Sequence, residues 1–524
     1  LHERAAYRYR TICIEGCCSR EHVLDLVDWS AKQGMNGYFL QFELGVTFFK
    51  WWYIHQRNPF AHPEAFSDDQ VRRIVDDLGQ ALQERGLSYE RVGHGWTSKV
   101  AGVVAESWEE EVQPVTDAQR PFLAELAGKR DWFRGQPLNT NLCYSNPRTR
   151  ARFVEEVLTY AQHHPECDLL HLWLADGSNN HCECATCATR RPADWYVALL
   201  NEVDAALTAA KLRMRMVFLI YVDLLWPPET ERIKNPGRFV LMFAPITRIF
   251  SKSFAEAVIP DHALAPYERN KLTFPKDVGV NLAYLRAWQE QFGGDGFDFD
   301  YHGTWAPFYD INQVTIARVF HQDIQHLRQL GLHGYNSCQM QRLSFPHNLL
   351  MEVMARTLWD PKLSYETIAH DSFRDAFGRE HGERVLAFFT ELSELFLPYF
   401  EPAYIPQPDF PRIRQGLANL PLIAAAITGL RPLVPSGLMQ REPAVRQSWE
   451  YLIHYLELLP FLTAALEAYL RCQPNACKER FERFFDELWR REPYLHAVLD
   501  VHRAVTVYRW RIHECAHDGK PLPS

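Results

Sequence analysis

Residues able to do acid–base chemistry gather in a few short runs. In "FDFDYH" (297–302), Asp298, Asp300 and His302 alternate with Phe297, Phe299 and Tyr301. Read as a strand, this alternation sets the acids and the imidazole on one face and the rings on the other. The expectation is that the rings pack on outer helices and the polar face looks inward, toward a site. The competing reading is a structural ion-pair layer, since buried carboxylates need partners. "LLHLWLAD" (169–176) ends in Asp176, either a reacting group or the N-cap of the next turn. Other runs end in Glu15, in Gln41 and Glu43, in His94 and Trp96, in Tyr221, and in Asn336. Paired carboxyls suit cleavage of a glycosidic bond. One protonates the leaving oxygen; the other acts as base, nucleophile or stabiliser of an oxocarbenium-like state. Asp176 is the predicted acid and Asp300 the predicted base or nucleophile. Glu15, Gln41, Glu43, His94, Trp96, Tyr221, Asp298, His302, Trp305 and Asn336 are the predicted substrate-holding residues. Aromatic loops such as "VTFFKWWYIHQRNPF" (46–60) and the "GTW" ending in Trp305 offer flat faces for the C–H surface of a sugar. Packing of the loops themselves is the alternative.

A second kind of chemistry follows directly after Asp176. Cys182, Cys184 and Cys187 form C-x-C-x2-C, with His181 adjacent. Three thiolates and an imidazole are a zinc set by type. The spacing leaves open a structural metal, free loop thiols, or catalytic zinc. "HECAH" (513–517) matches the H-E-x-x-H pattern of metalloproteases, and is expected to be coincidental among 22 histidines.

The elements that must position these residues can be read from periodicity. Strands are predicted at 11–16, 37–43, 87–94, 169–176, 216–221, 239–245, 297–302 and 333–339. Between them, residues 21–34, 67–86, 147–164 and 312–331 repeat apolar side chains at helical spacing. Ser67 reads as an N-cap, Pro147 as a first-turn proline, and Gly34, Gly86 and Gly331 as C-terminal caps. Eight strands alternating with helices predict an α/β fold, a (β/α)8 TIM barrel over residues 1–346. From 347 to 524 strand signals vanish, which predicts an all-α C-terminal domain divided by the proline-rich "PAYIPQPDFP" (402–411). In such a barrel, function sits at the C-terminal strand ends, where the acids, histidines and amides converge.

Composition narrows the function classes. The net charge of −9, with 65 acids against 56 bases, argues against a nucleic-acid partner. No apolar run of roughly 20 residues stands out as a membrane span, so no membrane partner is expected. The first residues carry no apolar signal core, and twelve scattered cysteines are not a disulfide framework. Both lead to the expectation of a cytoplasmic protein. A homo-oligomer is left open.

"GMNGYFLQFE" (34–43), "GHGW" (93–96) and "LADGSNNHCECATC" (174–187) resemble the family named domain of unknown function 4838. That family is distantly similar to glycoside hydrolase barrels of the β-N-acetylhexosaminidase and α-glucuronidase types. The resemblance implies an acid at the end of strand four, which falls on Asp176. The hexosaminidase Asp-Glu pair is interrupted here by Gly177, which speaks against acetamido assistance. The expectation is therefore an exo-acting glycoside hydrolase with a carbohydrate substrate and no cofactor required for catalysis; a structural zinc is left open. The alternatives are a carbohydrate-binding barrel without catalysis and a zinc-dependent hydrolase.

Overall fold

The computed structural model describes residues 4–108, 113–261, 264–308, 310–399 and 409–511. Eight parallel strands close into a barrel: β1 (Tyr9–Glu15), β2 (Gly37–Gln41), β3 (Ser88–Gly93), β4 (Leu169–Leu172), β5 (Arg215–Ile220), β6 (Phe239–Phe243), β7 (Asp295–Gly303) and β8 (Gly334–Met340). β8 pairs with β1 from Tyr9↔Gly334 to Glu15↔Met340 and completes the ring. Each predicted strand is present, with ends moved by a few residues. Among the outer helices are α1 (Arg20–Lys32), α2 (Asp68–Glu84), α3 (Pro147–His163), α4 (Pro192–Ala209), α5 (Val278–Gln289) and α6 (Val314–His326). Their termini follow local chemistry. Ser67 and Gln70 form a capping box at α2, and Asn146 caps α3 ahead of Pro147. Gly34 and Gly86 follow their helices with φ of 75° and 64°, a conformation costly for residues with a Cβ.

The barrel is filled from its floor upward. Asp295 accepts hydrogen bonds from Tyr9 at 2.8 Å and pairs with the His333 ring at 2.6 Å. Above it, Glu90 accepts from Thr11 at 2.8 Å and Asn336 at 3.1 Å, and meets His171 at 2.8 Å. This buried carboxylate is satisfied on both oxygens, which is what makes it tolerable in an interior. Phe297 approaches Tyr9 and His171, and Phe299 meets Trp173 of the opposite wall with ring centroids 5.6 Å apart.

β7 therefore faces the other way from the sequence expectation. Its rings point inward and its acids outward, onto α6. There Arg248 pairs with Asp300 at 3.0 Å and Asp323 at 2.9 Å, while His302 reaches Asp323 at 3.0 Å and stacks on Phe320. The reason is Arg248 itself. It arrives from the loop after β6 and supplies the counter-charge that an outer layer of helices lacks.

The helical region follows β8: α7 (Leu349–Trp359), α8 (Tyr365–Phe377), α9 (Gly382–Phe396), α10 (Phe410–Leu430), α11 (Pro443–Leu470), α12 (Pro474–Leu495) and α13 (Val501–Arg511). α7 lies against the barrel's first residues, with Ala6 and Tyr7 donating to the Trp359 and Leu358 carbonyls. Contrary to the sequence expectation, one stretch, 410–438, is apolar and long enough by composition to cross a membrane. Ile413, Ile423 and Ile427 on that stretch are buried, while Leu422 and, just beyond the stretch, Met439 are exposed. Most of the proline-rich segment and all of "HECAH" lie outside the described residues.

Candidate active site

The C-terminal strand ends surround a cavity of about 290 Å³, near the lower end of ligand pockets. Glu15 of β1, Gln41 of β2, His94 after β3, Trp173 and Asp176 after β4, Tyr221 after β5, Tyr301 of β7 and Cys338 of β8 line it. Trp51, Trp108 and Trp305 come from loops, and His502, Arg503 and Thr506 from α13. The helical region thus supplies part of the wall. A larger, more open cleft of about 1320 Å³ runs beside α2 near the other end of the barrel, away from the converging strand ends.

Asp176 is held from two sides. The Trp108 indole donates to its Oδ2 at 2.9 Å, and the Tyr221 hydroxyl lies 3.2 Å from its Oδ1. A hydroxyl can donate to a carboxylate or accept from a carboxylic acid, so this pair accommodates both states of a proton-transferring group. The Asp176 backbone N–H donates to the Leu138 carbonyl, and Asn141 accepts from Ala175 at 3.4 Å. A segment of the β3–α3 loop therefore braces the Asp176 turn. Gly177 answers to the same crowding. A Cβ there would come within 2.2 Å of Asn180 Nδ2 and 2.8 Å of the Asn139 carbonyl, leaving no room for a glutamate.

Glu15 is the second carboxyl of the cavity. Arg503 Nη2 stands 3.2 Å from its Oε1 and gives it a counter-charge. His94 packs edge-on against Trp173 at 4.7 Å, and burial lowers its pKa against the opposing pull of Asp176 and Glu15. Burial also pushes His502 down to about 4, and it stacks on Trp51 at 5.1 Å. In both, burial favours the neutral imidazole. Tyr301 stacks with Trp305 at 4.7 Å to form one wall.

Among the described residues, the buried polar atoms of this lining without a hydrogen-bond partner include Trp173 Nε1, both His502 ring nitrogens and Thr506 Oγ1. Buried polar atoms are rarely left so, and a cluster around one cavity suits a hydroxyl-rich ligand.

Of the predicted site residues, the cavity brings together Asp176, Glu15, Gln41, His94, Tyr221 and Trp305. The others lie elsewhere. Asp298, Asp300 and His302 belong to the outer wall, where burial pushes the Asp298 carboxyl well up. Asn336 serves Glu90 inside the barrel. Glu43 pairs with Lys99 at 3.0 Å. Trp96 donates to the His171 carbonyl and packs on Phe153 and Tyr160 of α3, outside the barrel. Sequence reasoning missed Trp108, Trp173, Tyr301, His502 and Arg503. Trp173 directly follows β4 and Tyr301 lies on the ring face of β7, and alternation alone does not say which face turns inward.

The cysteines gather beside this site. Cys143, Cys182, Cys184 and Cys187 bring their Sγ atoms within 4.8 Å of one another. Cys143 from the β3–α3 loop takes the place expected for His181, whose backbone pairs with Asn270 instead.

No family model matches the chain, so the resemblance to domain of unknown function 4838 has no match behind it, and no curated protein matches either. Solved structures similar to it include a mutant O-GlcNAc hydrolase of Thermobaculum terrenum, at 10% identity and a TM-score of 0.44, covering 97% of this chain and 95% of that one. A β-N-acetylhexosaminidase of Bacteroides fragilis aligns at 10% identity and a TM-score of 0.40, over 74% and 72% of the two chains. CpGH89 of Clostridium perfringens, bound to its substrate GlcNAc-α-1,4-galactose, gives 10% identity and a TM-score of 0.48, over 92% of this chain and 54% of that one.

Proposed function

We propose that the protein is an exo-acting glycoside hydrolase working at the mouth of the barrel. The observation that carries this is one small cavity holding two carboxyls, Asp176 and Glu15, between aromatic walls. Asp176 protonates the leaving oxygen and Tyr221 follows the change in its protonation. Glu15, paired with Arg503, acts as the second carboxyl, as base, nucleophile or charge stabiliser. Trp51, Trp108 and Trp305 stack on the sugar, while His502, Thr506 and Trp173 bind its hydroxyls. The cavity has room for about one sugar ring, which favours removal of terminal residues. With Gly177 in place of a second acid, acetamido assistance has no protein group to orient it at this turn.

The test is a screen of aryl glycosides, including uronides and N-acetylhexosaminides, with wild-type and Asp176→Asn protein. Turnover by wild type and its loss in a folded Asp176→Asn variant is the expected result. Sugar binding by calorimetry with no turnover of any glycoside would favour a carbohydrate-binding barrel instead.

A further inference from the structure

The cysteine knot beside the active site has the geometry of a metal centre, and four sulfurs define it. Cys143 Sγ lies 3.7 Å from Cys184 Sγ and 3.9 Å from Cys187 Sγ. Four thiolates at Zn–S bonds of about 2.3 Å around a tetrahedral ion stand about 3.8 Å apart. A disulfide would need about 2.05 Å. The chain does hold a disulfide, at Cys472, yet these four thiols are unbridged.

The surroundings fit thiolates. Backbone N–H groups of Glu125, Ser145 and Cys187 donate to Cys182, Cys187 and Cys184 Sγ at 3.3–3.4 Å. Arg269 donates to the Cys182 and Cys187 carbonyls, which brings a positive charge beside the knot. The sulfurs form a small cluster with Ala124, separate from the main core. Four thiols touching one another make a poor apolar core, so packing alone does not account for them.

Two other groups of ligand types meet among the described residues, and each is already neutralised. Arg248 fills the space among Asp300, His302 and Asp323. Asp500 beside Cys17 and His502 accepts the Cys17 N–H and pairs with Arg342.

We propose that Cys143, Cys182, Cys184 and Cys187 bind one zinc ion in a closed, structural four-thiolate site. Its four positions are all protein ligands, so it leaves no coordination place for substrate or water. Its work is mechanical. The ion ties the β3–α3 loop, which carries Trp108, to the β4–α4 loop, which carries Asp176. Trp108 and Asp176 meet across that seam in a hydrogen bond of 2.9 Å. The knot holds the general acid and its indole partner in register.

Metal analysis of the protein, purified without chelators, is the test. One zinc per chain and an X-ray absorption shell of four sulfurs at about 2.3 Å are expected. Cobalt exchanged for zinc should give the intense visible bands of a tetrahedral thiolate site. Cys143→Ser should drop the metal content from one per chain toward zero, and His181→Ala should keep it. If Cys143→Ser does not fold, the absorption shell of the wild type still decides. Absence of stoichiometric zinc after growth and titration with zinc would overturn the proposal. So would a bound iron, a disulfide among the four by mass spectrometry, or zinc lost in His181→Ala and kept in Cys143→Ser.

Discussion

The mouth of the barrel and the outer wall beside β7 both bury carboxyls, and they are built in opposite ways. At the wall, Asp300 and Asp323 share the Arg248 guanidinium, and His302 closes the set. All of these side chains are shut between strand and helix, with exposures of 0–1%. At the mouth, Asp176 is half-buried, held by an indole and a phenol, and borders a cavity. Neither donor is a charge. A closed ion-pair set contributes rigidity but has no access for a substrate. A carboxyl held by neutral donors beside open space is within reach of a ligand. Burial of an acid therefore does not identify chemistry; what the acid faces does.

The contrast can be broken from either side. The largest effect is expected at the wall. Arg248→Met leaves Asp300 and Asp323 without their counter-charge and should cost about 3–5 kcal/mol in urea unfolding. At the mouth, Glu15→Gln should lower kcat of the folded protein by about 10²-fold on the best aryl glycoside. Tyr221→Phe removes one hydrogen bond to Asp176 and should cost about 1 kcal/mol of transition-state stabilisation, read as a fall in kcat/KM of about fivefold. A further effect lies in pH dependence. The folded pKa of His502, about 4, lies below the ordinary 6.5. Between these values the unfolded chain binds more protons, so this histidine's contribution to stability is lost as pH falls through that window. His502→Phe lacks the contribution, and the stability gap between wild type and variant should shift in the variant's favour from about pH 7 to about pH 4.5.

The barrel was legible in the sequence because its signals are local. Short β-rich apolar runs mark the strands, and Ser67, Pro147 and Gly86 begin or end helices by local chemistry reached within a few residues. Asp176 was legible for the same reason, as the polar residue that ends an apolar run. The face of β7 was not. Alternation divides Asp300 from Tyr301, but which set turns inward depends on Arg248, contributed by another loop. Arg503 and His502 were hidden likewise, because α13 reaches the cavity only after the helical region folds back on the barrel. Cys143 carried no motif of its own. Its membership in the knot comes from the pairing of two long loops, and the adjacent His181 was the local, misleading choice.

The central claim is that the working carboxyl stands at the mouth and not at the wall. The most direct measurement compares kcat for wild type, Asp176→Asn and Asp300→Asn on the same aryl glycoside, with folding of each checked by circular dichroism. The account predicts a loss of about 10²–10⁴-fold for Asp176→Asn and a wild-type kcat for folded Asp300→Asn. Wild-type turnover by Asp176→Asn, with turnover abolished in a folded Asp300→Asn, would contradict it.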